Sequence, residues 1–313
     1  MSFLVPPGEV CDWRMAVLYD AAAEAGVIAA LPGRAGDLAR GLSLDPDAVR
    51  VVLDALGSWR VVDLHADGVY RPGPAAPSPD SAAVLHQHVF AVRRWSRQVG
   101  DRLRGPVESG GAERQRPHDD RWLESMAVGA RLRAPAYVDA CLARFPGAKS
   151  VLELGGGHGE YGLEFARRGL QVTMQDRPEM VAIGRDRLSA GGVTVVAGDF
   201  FEQLPDGPFD LVFCAGINHT FDGEHNASLF RRLRPITAPG GGVAVFTFLR
   251  RHDPIGAIFA VQMLLNSSGG DTHGEDDYRG WLIAAAYEPL EIVDLGGDGS
   301  QSGLFAAAGT GQG

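Results

Sequence analysis

Glu153, Gly155, Gly157 and Gly159 fall at alternate positions of the run Val151-Leu-Glu-Leu-Gly-Gly-Gly-His-Gly-Glu-Tyr-Gly162, and Asp176 closes the next apolar run, Gln171-Val-Thr-Met-Gln-Asp176. An apolar strand, a glycine-rich turn, a helix and a second strand ending in a carboxylate can hold a nucleotide-bearing cofactor at the edge of a parallel sheet. Glycine lets the backbone come close to the ligand, and the free N–H groups of the following helix point at it. Asp176 is then placed to meet ribose hydroxyls. A third apolar run, Val193–Phe200, ends in Asp199-Phe200-Phe201. A carboxylate and an aromatic there can bond an adenine amino group and cover its ring.

The identity of the cofactor needs more than the glycines. Gly157, Gly159 and Gly162 satisfy G-x-G-x-x-G, which alone fits a nicotinamide dinucleotide. Read from Glu153, the pattern of an acid followed by glycines at alternate positions resembles motif I of the class I S-adenosylmethionine methyltransferases. Short-chain reductase chemistry would also require a Tyr-x-x-x-Lys pair on a later helix. Lys149 is the only lysine among 29 basic residues, and it precedes the first strand. The methyltransferase reading is carried forward, with S-adenosyl-L-methionine as cofactor and S-adenosyl-L-homocysteine as product.

The elements that must position these residues fit within 313 residues, 45% of them hydrophobic, enough for two domains with cores. A net charge of −10 argues against nucleic-acid or anionic-membrane partners. The abundance of Ala, Gly and Arg reads as high-GC codon usage of the actinobacterial kind. Cys11, Cys141 and Cys214 are scattered, as expected of small apolar side chains in a reducing cytosol. The N-terminus lacks a basic region and is broken by Pro6 and Pro7, unlike a signal peptide. The longest mostly apolar segment, Pro254 to Leu265, is shorter than the ~20 residues a spanning helix needs. These features lead to the expectation of a cytoplasmic protein.

Helical spacing runs from Asp12 to Ala30, and a short helix follows from Ala35 to Leu42. Asp45-Pro46 joins an N-cap to a proline at the first helical position and opens a helix to about Leu56. Trp59–Leu64 and Val69–Arg71 flank Ala66-Asp67-Gly68 and read as a hairpin, so the unit is a winged helix. After a proline-rich linker comes a helix from Asp80 to Arg104, a mobile loop from Gly105 to Pro117, and a helix from Arg121 to Phe145 broken near Pro135. Strands are expected at 151–154, 171–175, 193–197, 209–214, 242–249, 290–294 and 304–308, with a disordered tail at 309–313. The expected fold is α/β: a doubly wound, seven-stranded, Rossmann-like methyltransferase domain behind an N-terminal, mainly helical winged-helix domain. Its boundaries are 1–104 for the winged helix and following helix, 105–148 for a loop and helical connector, and 149–313 for the cofactor domain. A winged helix also admits a DNA-binding regulator. Its recognition helix would set Arg50 against Asp47 and Asp54, a surface that repels phosphates, so a platform for dimerisation is favoured and no nucleic acid is expected.

With these residues in place, the chain resembles the two-domain O-methyltransferases, the plant caffeate-type enzymes and bacterial relatives that modify polyketides, carotenoids and aromatic antibiotics. The resemblance runs from about Asp12 to Ala308 and is strongest between Trp122 and Leu249. It implies a homodimer formed through the N-terminal domain, which closes the partner's active site. It implies that Gly155 and Gly157 line the methionine end of the cofactor, with Glu153 indirectly supporting its amino group. Asp176 would take the ribose, and Asp199 and Phe200 the adenine. The family carries His-Asp-Trp after the fourth strand of this domain, the histidine acting as base. Here His219 keeps that position, while Thr220 and Phe221 replace Asp and Trp. The glutamate that orients the base in plant members has Thr247 at about its place. Trp122, Met126 and Met263 fall where relatives clamp the acceptor ring, and Asn218 is a candidate substrate contact. Each has a plainer reading: Met and Trp on helices commonly fill cores, Asn218 can bond the backbone, and His219 can be a polar residue at a helix start.

Methyl transfer from a sulfonium is an in-line displacement that needs alignment, exclusion of water and loss of one proton. A phenol of pKa ~10 facing an imidazole of ~6.5 leaves roughly 4.8 kcal/mol against full prior deprotonation. The base therefore takes the proton as the bond forms, a contribution of about 10²–10⁴. The expected acceptor is a hydroxyl of a small aromatic or polyketide-like secondary metabolite, as in antibiotic biosynthesis. The rivals are a C- or N-methyltransferase on the same scaffold and a non-catalytic cofactor-binding regulator. No proton-transfer role is assigned to His158, and Arg93, Arg94 and Arg97 read as a solvated basic face. His219, His225, His252 and His273 share half of the domain but lack metal-ligand spacing, so no metal is expected.

Overall fold

A computed structural model describes residues 12–105, 120–252, 254–266, 269–295 and 301–309. The loop, the N-terminal segment with Cys11, and the end of the tail discussed above lie outside those residues. The chain divides into two compact units that part near Arg97.

In the first unit Asp12 caps α1 (Trp13–Glu24) by accepting the Arg14 N–H at 3.0 Å. The helix stops short of the expected Ala30 because the chain turns at Gly26, with φ +80°. After α2 (Ala35–Leu42), Asp45 caps α3 (Pro46–Ser58) by accepting the Ala48 N–H at 2.8 Å. Strands β1 (Val62–Leu64) and β2 (Tyr70–Pro72) form the expected antiparallel hairpin. Leu53, Leu56, Val62 and Tyr70 make the core, which Val89 of α4 (Pro79–Arg104) joins. Arg50 lies 3.6 Å from Asp47 and 3.5 Å from Asp54, so its charge is locally balanced. The solvated basic face expected on α4 does not form as such. Arg94 is buried, and Arg93 lies 3.4 Å from Asp20 and 3.6 Å from Glu24. The reason is Asp20, which is buried and bonded to His86 Nδ1 at 2.7 Å; a carboxylate out of water needs such partners.

The second unit opens with α5 (Asp120–Arg144), which runs through Pro135 without the expected break. A proline costs a helix one hydrogen bond, but Ala134, Tyr137, Val138 and Cys141 on this helix are packed into a core, and packing decides. The seven strands are β3 (Ser150–Leu154), β4 (Gln171–Asp176), β5 (Val193–Ala197), β6 (Phe209–Ala215), β7 (Thr237–Thr247), β8 (Tyr287–Asp294) and β9 (Ser302–Ala308). They are ordered β5-β4-β3-β6-β7-β9-β8. The first five run parallel, and β9 is antiparallel to both neighbours. Strand β7 begins at Thr237 and not at Gly242: Thr237 pairs with Phe209, and its hydroxyl meets the Tyr287 phenol at 2.7 Å. Helices α6 (Glu160–Arg167), α7 (Pro178–Ala190), α8 (Gly223–Leu233), α9 (Pro254–Asn266) and α10 (Glu275–Ala284) alternate with the strands. The two faces of the sheet carry separate apolar cores, which is why Leu152, Leu211, Val212 and Phe213 are all fully buried. Cys141 and Cys214 are buried free thiols.

Candidate active site

Strand order reverses between β3 and β6, the position beyond whose carboxyl ends open α/β sheets bind their ligands. Gly155, at φ +64°, leads the chain out of β3, and its N–H donates to Gln175 O at 2.8 Å. A Cβ there would sit 2.3 Å from Ile217 Cγ2, so the turn after β3 lies directly against the turn after β6. Gly157, at φ +49°, differs: the nearest atoms to a Cβ would be Met180, Asp176 and Leu123, at 3.8–3.9 Å. Its missing side chain relieves no clash and leaves the backbone open to a ligand.

Asp176 ends β4 and is 7% exposed. Its Oδ2 accepts the Gly157 N–H at 2.8 Å and its Oδ1 the Arg177 N–H at 2.7 Å. Burial raises its pKa, and these two bonds oppose that. Glu153 is only 1% exposed and lies beneath the turn, where a Cβ on Gly162 would be 2.4 Å from its Oε2. Burial first, then the charge of Asp176, pushes its carboxyl up to about 8. That shift favours the protonated form, in which Glu153 would support the turn from beneath as an uncharged strut. Asp199 is exposed beyond β5, with Oδ1 accepting the Phe201 N–H at 2.7 Å. Phe200 is mostly buried, packed 5.1 Å from Phe201 and 5.8 Å from Phe221, so Phe201 is the more accessible ring of the pair. His158 Nδ1 accepts the Glu160 N–H at 3.1 Å. Burial, with Arg133, Arg187 and Arg131 nearby, pushes its imidazole down to about 3, so no proton passes through it near neutrality.

His219 sits in a 3-10 turn, Asn218–Thr220, beyond β6 and is 5% exposed. Its ring meets Phe259 edge-on at 4.6 Å, and Phe248, Ile255, Phe259 and Met263 form one apolar cluster beside it. The Thr220 hydroxyl donates to Ile217 O at 2.6 Å and closes the turn. Thr247 is fully buried beside the Tyr278 phenol, whose pKa burial raises. Asn218 is fully buried and fastens the turn to α8, while its Oδ1 has no hydrogen-bond partner among the described residues. Its Nδ2 donates to Asn226 Oδ1 at 2.9 Å, while Asn226 Nδ2 donates to Asn218 O at 2.9 Å. Asn226 also reaches Asp222 O at 2.9 Å, and His273 Nε2 lies 2.8 Å from Phe221 O. Met126 is half-buried on α5, whose Leu123 lies near Gly157; the Trp122 side chain lies outside the described residues.

A methyltransferase domain matches residues 151–241, the span from β3 into β7. The chain is 28% identical to the 3-amino-4-hydroxybenzoate 4-O-methyltransferase of Streptomyces cremeus, over 90% of this chain and 84% of that protein. It is 26% identical to a mitomycin biosynthesis 6-O-methyltransferase of Streptomyces lavendulae, over 78% and 76%. These matches support a class I S-adenosylmethionine-dependent O-methyltransferase. The methyltransferase also shares its fold with human N-acetylserotonin methyltransferase solved with S-adenosylmethionine (TM-score 0.76, 20% identity, 95% of each chain). A mitomycin 7-O-methyltransferase is equally similar (TM-score 0.76, 23% identity, 94% of each chain). The open backbone at Gly157, the buried carboxylate of Asp176 beside it and the exposed Asp199 two strands from β3 fit a ligand carrying an amino acid, a ribose and an adenine. Asn226, His273 and Phe201 were missed by sequence reasoning. Nothing local marks them, because their partners are set by how α8 and the segment before α10 fold back on the turn.

Proposed function

We propose that the methyltransferase acts on a hydroxyl of a small aromatic or polyketide-like secondary metabolite, with His219 as general base. One observation carries this: a buried histidine at the end of β6, edge-on to Phe259 and flanked by an apolar cluster, next to the glycine turn. Bound S-adenosylmethionine supplies an electrophilic methyl group on a sulfonium. Gly155 and Gly157 would hold its methionine end, Asp176 its ribose, and Asp199 its adenine. His219 takes the proton from the acceptor hydroxyl at an imidazole nitrogen as the new bond forms. Phe248, Phe259 and Met263 exclude water, which strengthens every charge interaction made by the developing oxyanion. Thr220 and Thr247 supply no carboxylate to orient the imidazole.

The hydroxybenzoate and mitomycin enzymes among the relatives support an aromatic acceptor and a role in antibiotic biosynthesis. The test is transfer of a labelled methyl group to a panel of phenols that includes 3-amino-4-hydroxybenzoate, with the methylated atom located by NMR. Label on carbon or nitrogen alone, or on no acceptor, would defeat the proposal. We read the first unit as a dimerisation domain; Trp13 and Leu64 are apolar side chains 62% and 57% exposed on it. Light scattering should give a dimer, and a monomer at all concentrations would reject that reading. No helix among the described residues is long and apolar enough to cross a membrane, which agrees with a cytoplasmic site of action.

A further inference from the structure

Three guanidinium groups, those of Arg131, Arg133 and Arg187, lie around His158 in the glycine turn. Two of them already face carboxylates. Arg187 pairs with Glu160 at 2.9 Å and donates to His158 O. Arg131 pairs with Glu124 and lies 3.6 Å from Glu160. Arg133 differs: among the described residues no carboxylate comes within ion-pair distance of it, and its Nε is buried without a hydrogen-bond partner. The Tyr161 hydroxyl is within hydrogen-bond reach of it. Gly129, one turn earlier on α5, gives the guanidinium room; a Cβ there would be 3.1 Å from both terminal nitrogens. Tyr161 is itself held in place, stacked on Tyr137 at 5.5 Å and tilted against His158 at 5.7 Å.

A half-buried cation without a counter-ion is costly unless a ligand brings the anion. The amino-acid end of the cofactor carries a carboxylate, and its nucleoside part carries none. We propose that Arg133, seated by Tyr161, is the counter-ion of the cofactor's carboxylate. This rests on reading the glycine turn as the methionine end of the site.

Calorimetry with two ligands tests it without turnover. S-adenosylhomocysteine carries the carboxylate; 5′-methylthioadenosine keeps the nucleoside and thioether but lacks the amino acid. Losing a charged hydrogen bond should weaken S-adenosylhomocysteine roughly 10- to 100-fold in Arg133→Gln, with 5′-methylthioadenosine unchanged within about twofold. Arg133→Lys should recover part of the loss, and Tyr161→Phe should give the same pattern at smaller size. Thermal melts establish that each variant is folded. A change under about threefold for S-adenosylhomocysteine, or equal weakening of both ligands, overturns the proposal. So does a wild-type protein that binds the two ligands equally well, a result needing no variant. A wild type that binds neither would instead remove the cofactor-site reading on which the proposal stands.

Discussion

The turn after β3 and the turn after β6 touch through Gly155 and Ile217, yet they hold their shape by different means. The first is a backbone device: left-handed glycines, an N–H bonded to Gln175 O, and a carboxylate from the adjacent strand end that accepts the Gly157 N–H. The second is a side-chain device, in which Thr220 closes the turn and a reciprocal pair of buried amides, Asn218 and Asn226, fastens it to α8. The cofactor is constant, so its half can be built from backbone that tolerates few residue types. The acceptor half, open to variation, is built from side chains. If this division is real, the two halves should fail separately under mutation.

The largest separation is expected for His219→Ala. Removing the base should lower kcat/KM by about 10² to 10⁴ while S-adenosylhomocysteine affinity stays within about twofold. Cofactor affinity falling in step with turnover would show that the turns do not act independently. The two glycines sharpen this. Alanine at Gly155 drives a Cβ into Ile217 and so should damage both halves, adding roughly 1–3 kcal/mol of overpacking to the strain of a left-handed alanine. Alanine at Gly157 meets only ordinary contacts at 3.8–3.9 Å, so the left-handed strain and the lost backbone approach remain. Its cofactor Kd should rise, while kcat at saturating donor stays within about threefold of wild type. Equal kcat losses in the two variants would contradict the geometry.

A smaller effect, confined to the acceptor half, is expected for Asn226→Ala. It removes the acceptor of the buried Asn218 amide, at a cost of about 1–3 kcal/mol for a buried group left unsatisfied, while the Phe221 and Asp222 carbonyls keep His273 Nε2 and the residue 226 backbone N–H. Denaturant midpoints should fall and kcat drop about tenfold, with cofactor affinity unchanged. If stability falls but kcat holds, the amide pair is scaffolding without influence on His219.

The same division explains what could be read without coordinates. The strand–turn–helix–strand pattern from Val151 to Asp176 is contiguous, and all seven strands were legible; the largest shifts are the starts of β7 and β8, where Thr237 and Tyr287 bond each other across 50 residues. His219 was singled out through the family resemblance, by its place after β6. The bond from Asn218 to Asn226 was not legible because Asn226 lies on the following helix, and an amide facing another amide leaves no sequence periodicity. The basic face on α4 was misread for a similar reason: nothing near Arg93 in sequence announces that Asp20 is buried beneath it. Glu153 sits in the motif itself, yet its identity as an acid says nothing about which side of the turn it occupies.

Glu153 therefore gives the finest test of the backbone half. Its folded pKa of about 8 stands above the unfolded value of ~4.3. Between those values the folded protein keeps a proton that the unfolded chain has released. Stability should therefore fall as pH rises through that window, by up to about 1.4 kcal/mol per pH unit from this group, and level off above it. Glu153→Gln fixes the uncharged form, so urea midpoints of variant and wild type should agree most closely near pH 5 and diverge in favour of the variant by pH 8.5. Parallel curves would mean that Glu153 is ionised in the folded state. Cofactor affinity at pH 7 provides the second reading. An uncharged strut is replaced by an amide with a change of a fewfold at most, whereas a carboxylate supporting the cofactor's ammonium would lose roughly tenfold or more.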